Sequence, residues 1–222
     1  MRFIEFIKEE PQQLDEINLK QVAAGASLLG ALGLGGLTNP AYATTPQEQY
    51  RQDMAIAIAK HYRINPNEAR EIVDAAHEEG DPVFPKPHDL LALTGVESSF
   101  NKTATPQYSK KKYPETHARI QRDTPYGLLQ VRPGLWKVPA GGLSTIKGQI
   151  HHGKQVLKHY YKKFKGDKIA AMNAYHMGET DYRKRGASPE YTQKYHAEIE
   201  RQKQARLAQK QARLKQQQTQ RR

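Results

Sequence analysis

The chain has 222 residues, 35 Lys and Arg against 23 Asp and Glu, a formal net charge of +12 and no cysteine. The missing cysteine excludes disulfide scaffolds, thiol nucleophiles and cysteine-ligated metal sites, and the excess of cations favours a polyanionic partner: nucleic acid, anionic lipid or an acidic wall polymer. Only 37% of residues are hydrophobic, a low share for a globular chain, so the core is concentrated in one domain with flanks.

Residues 1–44 contain a run of small and apolar residues from Gln21 that ends at Ala41-Tyr42-Ala43, the shape of a secretory segment with a small-residue cleavage site. The stretch before it is acidic: Glu5, Glu9, Glu10, Asp15 and Glu16 outnumber Arg2, Lys8 and Lys20. A signal normally starts short and positive, so export or membrane engagement stands beside a Gly-rich linker or a small-residue packing helix. The run falls short of the roughly 18 apolar residues of a confident membrane span.

From Thr45 the sequence becomes helix-compatible. Tyr50, Met54, Ala57, Ile58 and Tyr62 recur at three- and four-residue steps, which predicts an amphipathic helix over Gln47 to Tyr62. Asn65 and Pro66 supply an N-cap and a first helical residue for a second helix over Glu68 to Glu79, which stops at Gly80 before Pro82, Pro85 and Pro87. A third helix is expected from His88 to Phe100. No segment alternates with period two, so the core reads as all-α.

Asn101 to Pro125 is polar, Lys-rich and aperiodic, a loop that is either a lid on a cleft or a solvated insertion. Beyond Tyr126 to Val131 and a second loop, Ile146, Ile150, Gly153, Leu157, Tyr160, Tyr161 and Phe164 mark a buried helix ending at Gly166. Asp167 caps a further helix through Ala170, Ala171, Ala174 and Tyr175 that stops at Gly178. From Ala197 the tail is basic and Gln-rich, with eight Lys/Arg against Glu198 and Glu200. It reads as a solvated helix outside the core, or as a contact for anionic wall, lipid or nucleic acid. The expected division is 1–44, a domain over 45–196, and a tail over 197–222.

Leu90 and Leu93 stand seven and four residues before Glu97, and Phe100 three after it, so Glu97 lies on an apolar stripe. A carboxyl there is partly desolvated, its pKa is raised, and it suits general-acid work near neutral pH. The bland alternative is a glutamate turned to water at a helix end.

Glu97 opens the first of three ordered blocks: Glu97-Ser98-Ser99-Phe100-Asn101, then Tyr126-Gly127-Leu128-Leu129-Gln130-Val131, then Asn173-Ala174-Tyr175-His176-Met177-Gly178. Together they resemble the soluble lytic transglycosylase family, relatives of goose-type lysozyme, over about residues 85 to 195. The resemblance implies an all-α, lysozyme-like domain acting on peptidoglycan glycan strands without a cofactor. It further implies Glu97 as the single catalytic acid/base, a glycan hydrogen bond at Gln130, and a Tyr175 hydroxyl donated to the Glu97 carboxyl. Ser98, Gly127, Leu129, His176 and Tyr191 join these along the cleft, Gly127 by letting backbone approach the sugar. Gly127 as a turn residue, Gln130 as a surface amide and Tyr175 as a core aromatic are the alternatives.

The chain departs from the family pattern at His176, where Asn is usual, at Leu129, where Met is commoner, and at Arg132, where an apolar residue is frequent. His176 adds a group that titrates near neutrality. The Asn101 to Asp123 loop is also longer than usual. Among the other acids near the blocks, Asp123, Glu179 and Asp181 read as surface or capping charges.

His151, His152 and His159 lack the spacing of a metal set and read as surface histidines, and no phosphate loop or GxSxG turn is present. The expected activity is cleavage of the MurNAc–GlcNAc β-1,4 bond to a 1,6-anhydromuramyl product in the periplasm or cell envelope. Its rivals are a hydrolytic lysozyme, a wall-opening component of a virion or envelope machine, and a nucleic-acid-binding protein working through the basic tail.

Overall fold

The computed structural model describes residues 45–106 and 123–220. The signal-like run within residues 1–44, and residues 107–122 of the long polar loop, lie outside the described residues.

Seven helices make up the described fold: α1 Pro46–Tyr62, α2 Pro66–Glu79, α3 Pro87–Ser98, α4 Ile146–Lys163, α5 Lys168–Met177, α6 Glu179–Arg185 and α7 Pro189–Gln220. Their starts follow local side-chain chemistry. Thr45 Oγ1 accepts from the Glu48 amide, Asn65 Oδ1 from Asn67, Thr145 Oγ1 from Gly148 and Asp167 Oδ1 from Ala170, each satisfying an otherwise orphaned donor. Pro46, Pro66 and Pro87 occupy first-turn positions, where the missing N–H costs nothing. The strand-like contact among the described residues is an isolated bridge from Tyr126 to Val131, closing the turn of the second block.

One apolar cluster unites α1 to α5 and α7. Met54 and Ile58 of α1, Ile72 and Val73 of α2, Leu90, Leu91 and Leu93 of α3, and Ile150 and Leu157 of α4 are all buried. Each such side chain contributes about 1.5–3 kcal/mol of burial free energy. α3 is thereby walled in, with α2 on one side and α7 on the other.

α3 ends abruptly at Ser98, one residue past Glu97. Ser99 and Phe100 both adopt left-handed backbone, with φ of 52° and 62°, a conformation unfavourable for residues with a Cβ. Burial of the Phe100 ring against Tyr62, centroids 4.6 Å apart, holds the turn in place. The third helix therefore stops two residues earlier than the apolar spacing suggests.

One element is added to the sequence reading here, and one expectation is corrected. α6 was not foreseen: it is short, has no buried residue, and begins directly after Gly178. More consequentially, the tail is not a solvated appendage divided from the domain at residue 197. Helix α7 runs unbroken from Pro189 to Gln220, packs on α1 and α3, and belongs to the same compact unit.

α7 enters the core with Tyr191 and Tyr195, and beyond them it docks mainly through polar groups. Tyr62 donates to Glu198 Oε1 at 2.7 Å, and Gln202 Nε2 donates to the same oxygen at 2.6 Å and to the Leu91 carbonyl at 3.1 Å. Arg213 forks onto both oxygens of Asp53 at 3.2 and 3.1 Å, and Arg206 lies over the Tyr50 ring. Glu198, Gln202 and Asp53 are all buried, so these bonds are made in a dry environment where an unpaired partner is costly.

Candidate active site

Glu97 is the penultimate residue of α3, and its side chain is 13% exposed. The Tyr191 hydroxyl, itself buried, donates to Glu97 Oε1 at 2.6 Å. Desolvation pushes the Glu97 pKa up to about 7, against the opposing effect of the Tyr191 hydrogen bond. Burial and the nearby Glu97 carboxyl hold the phenols of Tyr191 and Tyr175 well above their ordinary value, so both remain donors.

Tyr175 does not make the bond expected of it. Its hydroxyl donates to the backbone carbonyl of Leu129, tying α5 to the 126–131 turn, while the carboxyl is served by Tyr191 from α7. The family resemblance assigned the Glu97 contact to Tyr175 and placed Tyr191 along the cleft, but which hydroxyl reaches the carboxyl depends on how α7 packs.

The second block is folded around its own polar atoms. Gln130, at φ 49° and half-buried, donates both amide hydrogens inward, to the carbonyls of Ala104 at 2.9 Å and Gly127 at 2.8 Å. Its Oε1 is thus the amide atom left for a ligand. Gly127, at φ 77°, faces Gln149, and a Cβ there would collide with that side chain. Protein packing is by itself enough to require glycine here. The Leu129 side chain is fully buried against Gly153 and lies beneath the site, not along the cleft surface. Ser98 is half-buried and donates its hydroxyl to the Thr94 carbonyl one turn back, at 3.0 Å.

His176 closes the group from the last turn of α5. Its ring stacks on Tyr191 with centroids 4.0 Å apart and planes 12° apart, and its Nδ1 lies 3.9 Å from Glu97 Oε1. Burial, followed by the charge of Lys194, lowers its pKa below the usual 6.5.

Two residues that position this group went without a role in the sequence reading. Asn173 is fully buried, accepts from the Ser188 amide at 2.7 Å and donates to Thr192 Oγ1 at 3.1 Å, which fixes the start of the helix carrying Tyr191. Its place in the third block was the available signal. Gln149, a lone amide on the apolar face of α4, accepts from the Leu128 amide at 2.8 Å and donates to the carbonyls of Lys102 at 3.0 Å and Leu143 at 2.9 Å.

The remaining acids are occupied. Asp123 accepts from the amides of Gly134 at 2.7 Å and Leu135 at 2.8 Å, Glu179 pairs with Lys163 and Arg183, and Asp181 sits 3.8 Å from Arg185. His151 bonds Glu79 at 3.0 Å. Among the described residues, no three His, Cys, Asp or Glu side chains converge as a metal set.

An all-helical domain that gathers these three blocks around one desolvated carboxyl has the lysozyme-like architecture. Residues 85–197 match the family model of the transglycosylase SLT domain; the match covers half of the chain, and the chain belongs to that family. The family comprises lytic transglycosylases acting on peptidoglycan in the periplasm or cell envelope, so the protein is an enzyme whose substrate is peptidoglycan. No curated protein and no solved structure matches the chain. No described helix is long and apolar enough to cross a membrane.

Proposed function

We propose that the enzyme cleaves the MurNAc–GlcNAc β-1,4 bond with Glu97 as its single acid/base and releases a 1,6-anhydromuramyl product. The observation that carries this reading is the desolvated Glu97 carboxyl, with a pKa of about 7, held by the Tyr191 hydroxyl. Such a carboxyl is protonated often enough near neutrality to act as an acid and is readily regenerated as a base.

In the first step Glu97 passes its proton to the glycosidic oxygen. The C1–O4 bond breaks with its electron pair on that oxygen, and positive charge develops at the muramyl C1. The Glu97 carboxylate then takes the proton of the muramyl 6-hydroxyl as O6 bonds C1. No water is consumed, and the carboxyl is restored. Tyr191 fixes Oε1 throughout, which leaves Oε2 as the oxygen to face the scissile bond. Gln130 Oε1 accepts from a sugar hydroxyl or an N-acetyl N–H. The engagement of Asp123, Glu179 and Asp181 elsewhere supports a one-carboxylate mechanism over a two-carboxylate hydrolysis.

In this reading α7 is part of the catalytic unit, and residues 1–44 serve export or membrane engagement. The exposed Lys210 and Lys215 are the tail cations that meet the anionic wall.

The test is digestion of purified peptidoglycan by the full chain and by Glu97→Gln, with released muropeptides weighed by mass spectrometry. Products about 18 mass units lighter than hydrolytic muropeptides, from the wild type alone, are expected. Products of hydrolytic mass would make the enzyme a lysozyme.

A further inference from the structure

The stacked pair of His176 and Tyr191 sets this site apart. The ring of His176 lies flat on the phenol whose hydroxyl holds Glu97, and its Nδ1 is 3.9 Å from the same Oε1 that receives the phenol's hydrogen bond. The imidazole is 46% exposed, so protons reach it from solvent. The ionisable groups around it are Glu97 from α3 and Tyr191, Glu190 and Lys194 from α7. Glu190 and Lys194 pair with one another at 2.7 Å, so their fields largely offset at the ring. Glu97 is the one of these acids that lies within 4 Å of the ring.

We propose that His176 is a positioning residue whose protonation switches off glycan cleavage on the acid side of the pH profile. The proposal rests on the reading of Glu97 as the acid/base.

The neutral ring supports the reaction by packing on Tyr191 and keeping its hydroxyl on Oε1. The imidazolium opposes it in two ways. A positive charge 3.9 Å from the carboxyl stabilises the carboxylate and so weakens it as the base that must take the 6-hydroxyl proton. The same charge lies beside the sugar as it becomes oxocarbenium-like, and raises the energy of that transition state.

The order of the two titrations makes the arrangement work. Burial raises the Glu97 pKa to about 7 and lowers that of the imidazole, so both shifts favour the form with the proton on Glu97 and His176 neutral. The active form, protonated Glu97 beside neutral His176, is therefore populated between the two. An asparagine at this position would carry no charge at any pH, and the acid limb would be absent.

The experiment compares peptidoglycan turnover by the full-length wild type, His176→Asn, His176→Gln and Glu97→Gln between about pH 4 and 9. The wild type is expected to give a bell. Each His176 variant is expected to keep the basic limb and lose the acid limb, so that its rate near pH 5, relative to its own maximum, rises several-fold over the wild type. Protonation of the wall's own carboxylates affects all variants alike. An acid limb with an unchanged midpoint in both His176 variants, while Glu97→Gln is inactive, overturns the proposal alone. Normal turnover by Glu97→Gln removes the acid/base reading and the proposal with it.

A second readout needs no activity. The His176 ring resonances, followed by NMR, are expected to show the imidazole's own titration and a second inflection near about 7 that disappears in Glu97→Gln. Identical single-step titrations in the two proteins overturn the coupling.

Discussion

Tyr191 and Glu97 stand 94 residues apart in the chain, yet the phenol hydroxyl of one donates to the carboxyl of the other at 2.6 Å. That bond joins the last long helix to the end of the helix that carries the acid. It is the point on which the pH behaviour of the enzyme turns.

Replacing Tyr191 by Phe removes a donor that favours the ionised carboxyl, so the Glu97 pKa rises above about 7 and the basic limb of the activity profile moves to higher pH. The lost bond to a charged group is worth about 1.5–3 kcal/mol, or a rate loss of roughly 10- to 100-fold if it is fully expressed in turnover. Turnover against pH for wild type and Tyr191→Phe measures both.

Glu97 also makes stability depend on pH. Its folded pKa of about 7 exceeds its ordinary 4.5, so the native state holds the proton more tightly than the unfolded chain. Stability is then full below about 4.5, falls as pH rises through about 7, and levels off beyond, for a total of about 3 kcal/mol. In Glu97→Gln this decline is absent. Denaturant midpoints at several pH values across that window provide the comparison.

Tyr175→Phe is expected to behave differently from Tyr191→Phe. Its hydroxyl serves the Leu129 carbonyl, and removing it leaves a buried acceptor unsatisfied at a cost of about 1–3 kcal/mol. Stability falls while both limbs of the pH profile stay in place. A shift of the basic limb instead would return Tyr175 to the carboxyl.

Arg213→Ala tests whether the tail is structural. Asp53 is 2% exposed and receives both Arg213 bonds along with one from Gln49 at 3.1 Å. Loss of the guanidinium leaves a charge in a dry place and is expected to cost about 1.5–3 kcal/mol. Lys215→Ala, on an exposed position of the same helix, is expected to change stability by less than about 0.5 kcal/mol. Thermal melts of the two variants distinguish a docked helix from a solvated one.

The parts that the sequence by itself determined are those written in local chemistry. Thr45, Asn65 and Asp167 cap the helices that follow them, and the recurrence of Ile146, Ile150, Leu157 and Tyr160 at steps of four, seven and three gives α4 its buried face. The three ordered blocks carried the family, and the apolar stripe through Leu90 and Leu93 carried the desolvation of Glu97.

Tertiary structure decided what depends on the angle at which one helix meets another. The pairing of Glu97 with Tyr191 instead of Tyr175, the bond from Gln130 to the Ala104 carbonyl, and the packing of Gly127 on Gln149 all lie between segments distant in the chain. The tail was misread for a related reason. Hydropathy registers apolar burial, whereas α7 beyond residue 197 docks through Glu198, Gln202, Arg206 and Arg213, whose partners Tyr62, Leu91, Tyr50 and Asp53 come from α1 and α3. A charged or amide side chain reads as solvated until its partner is known, and only the folded chain supplies the partner.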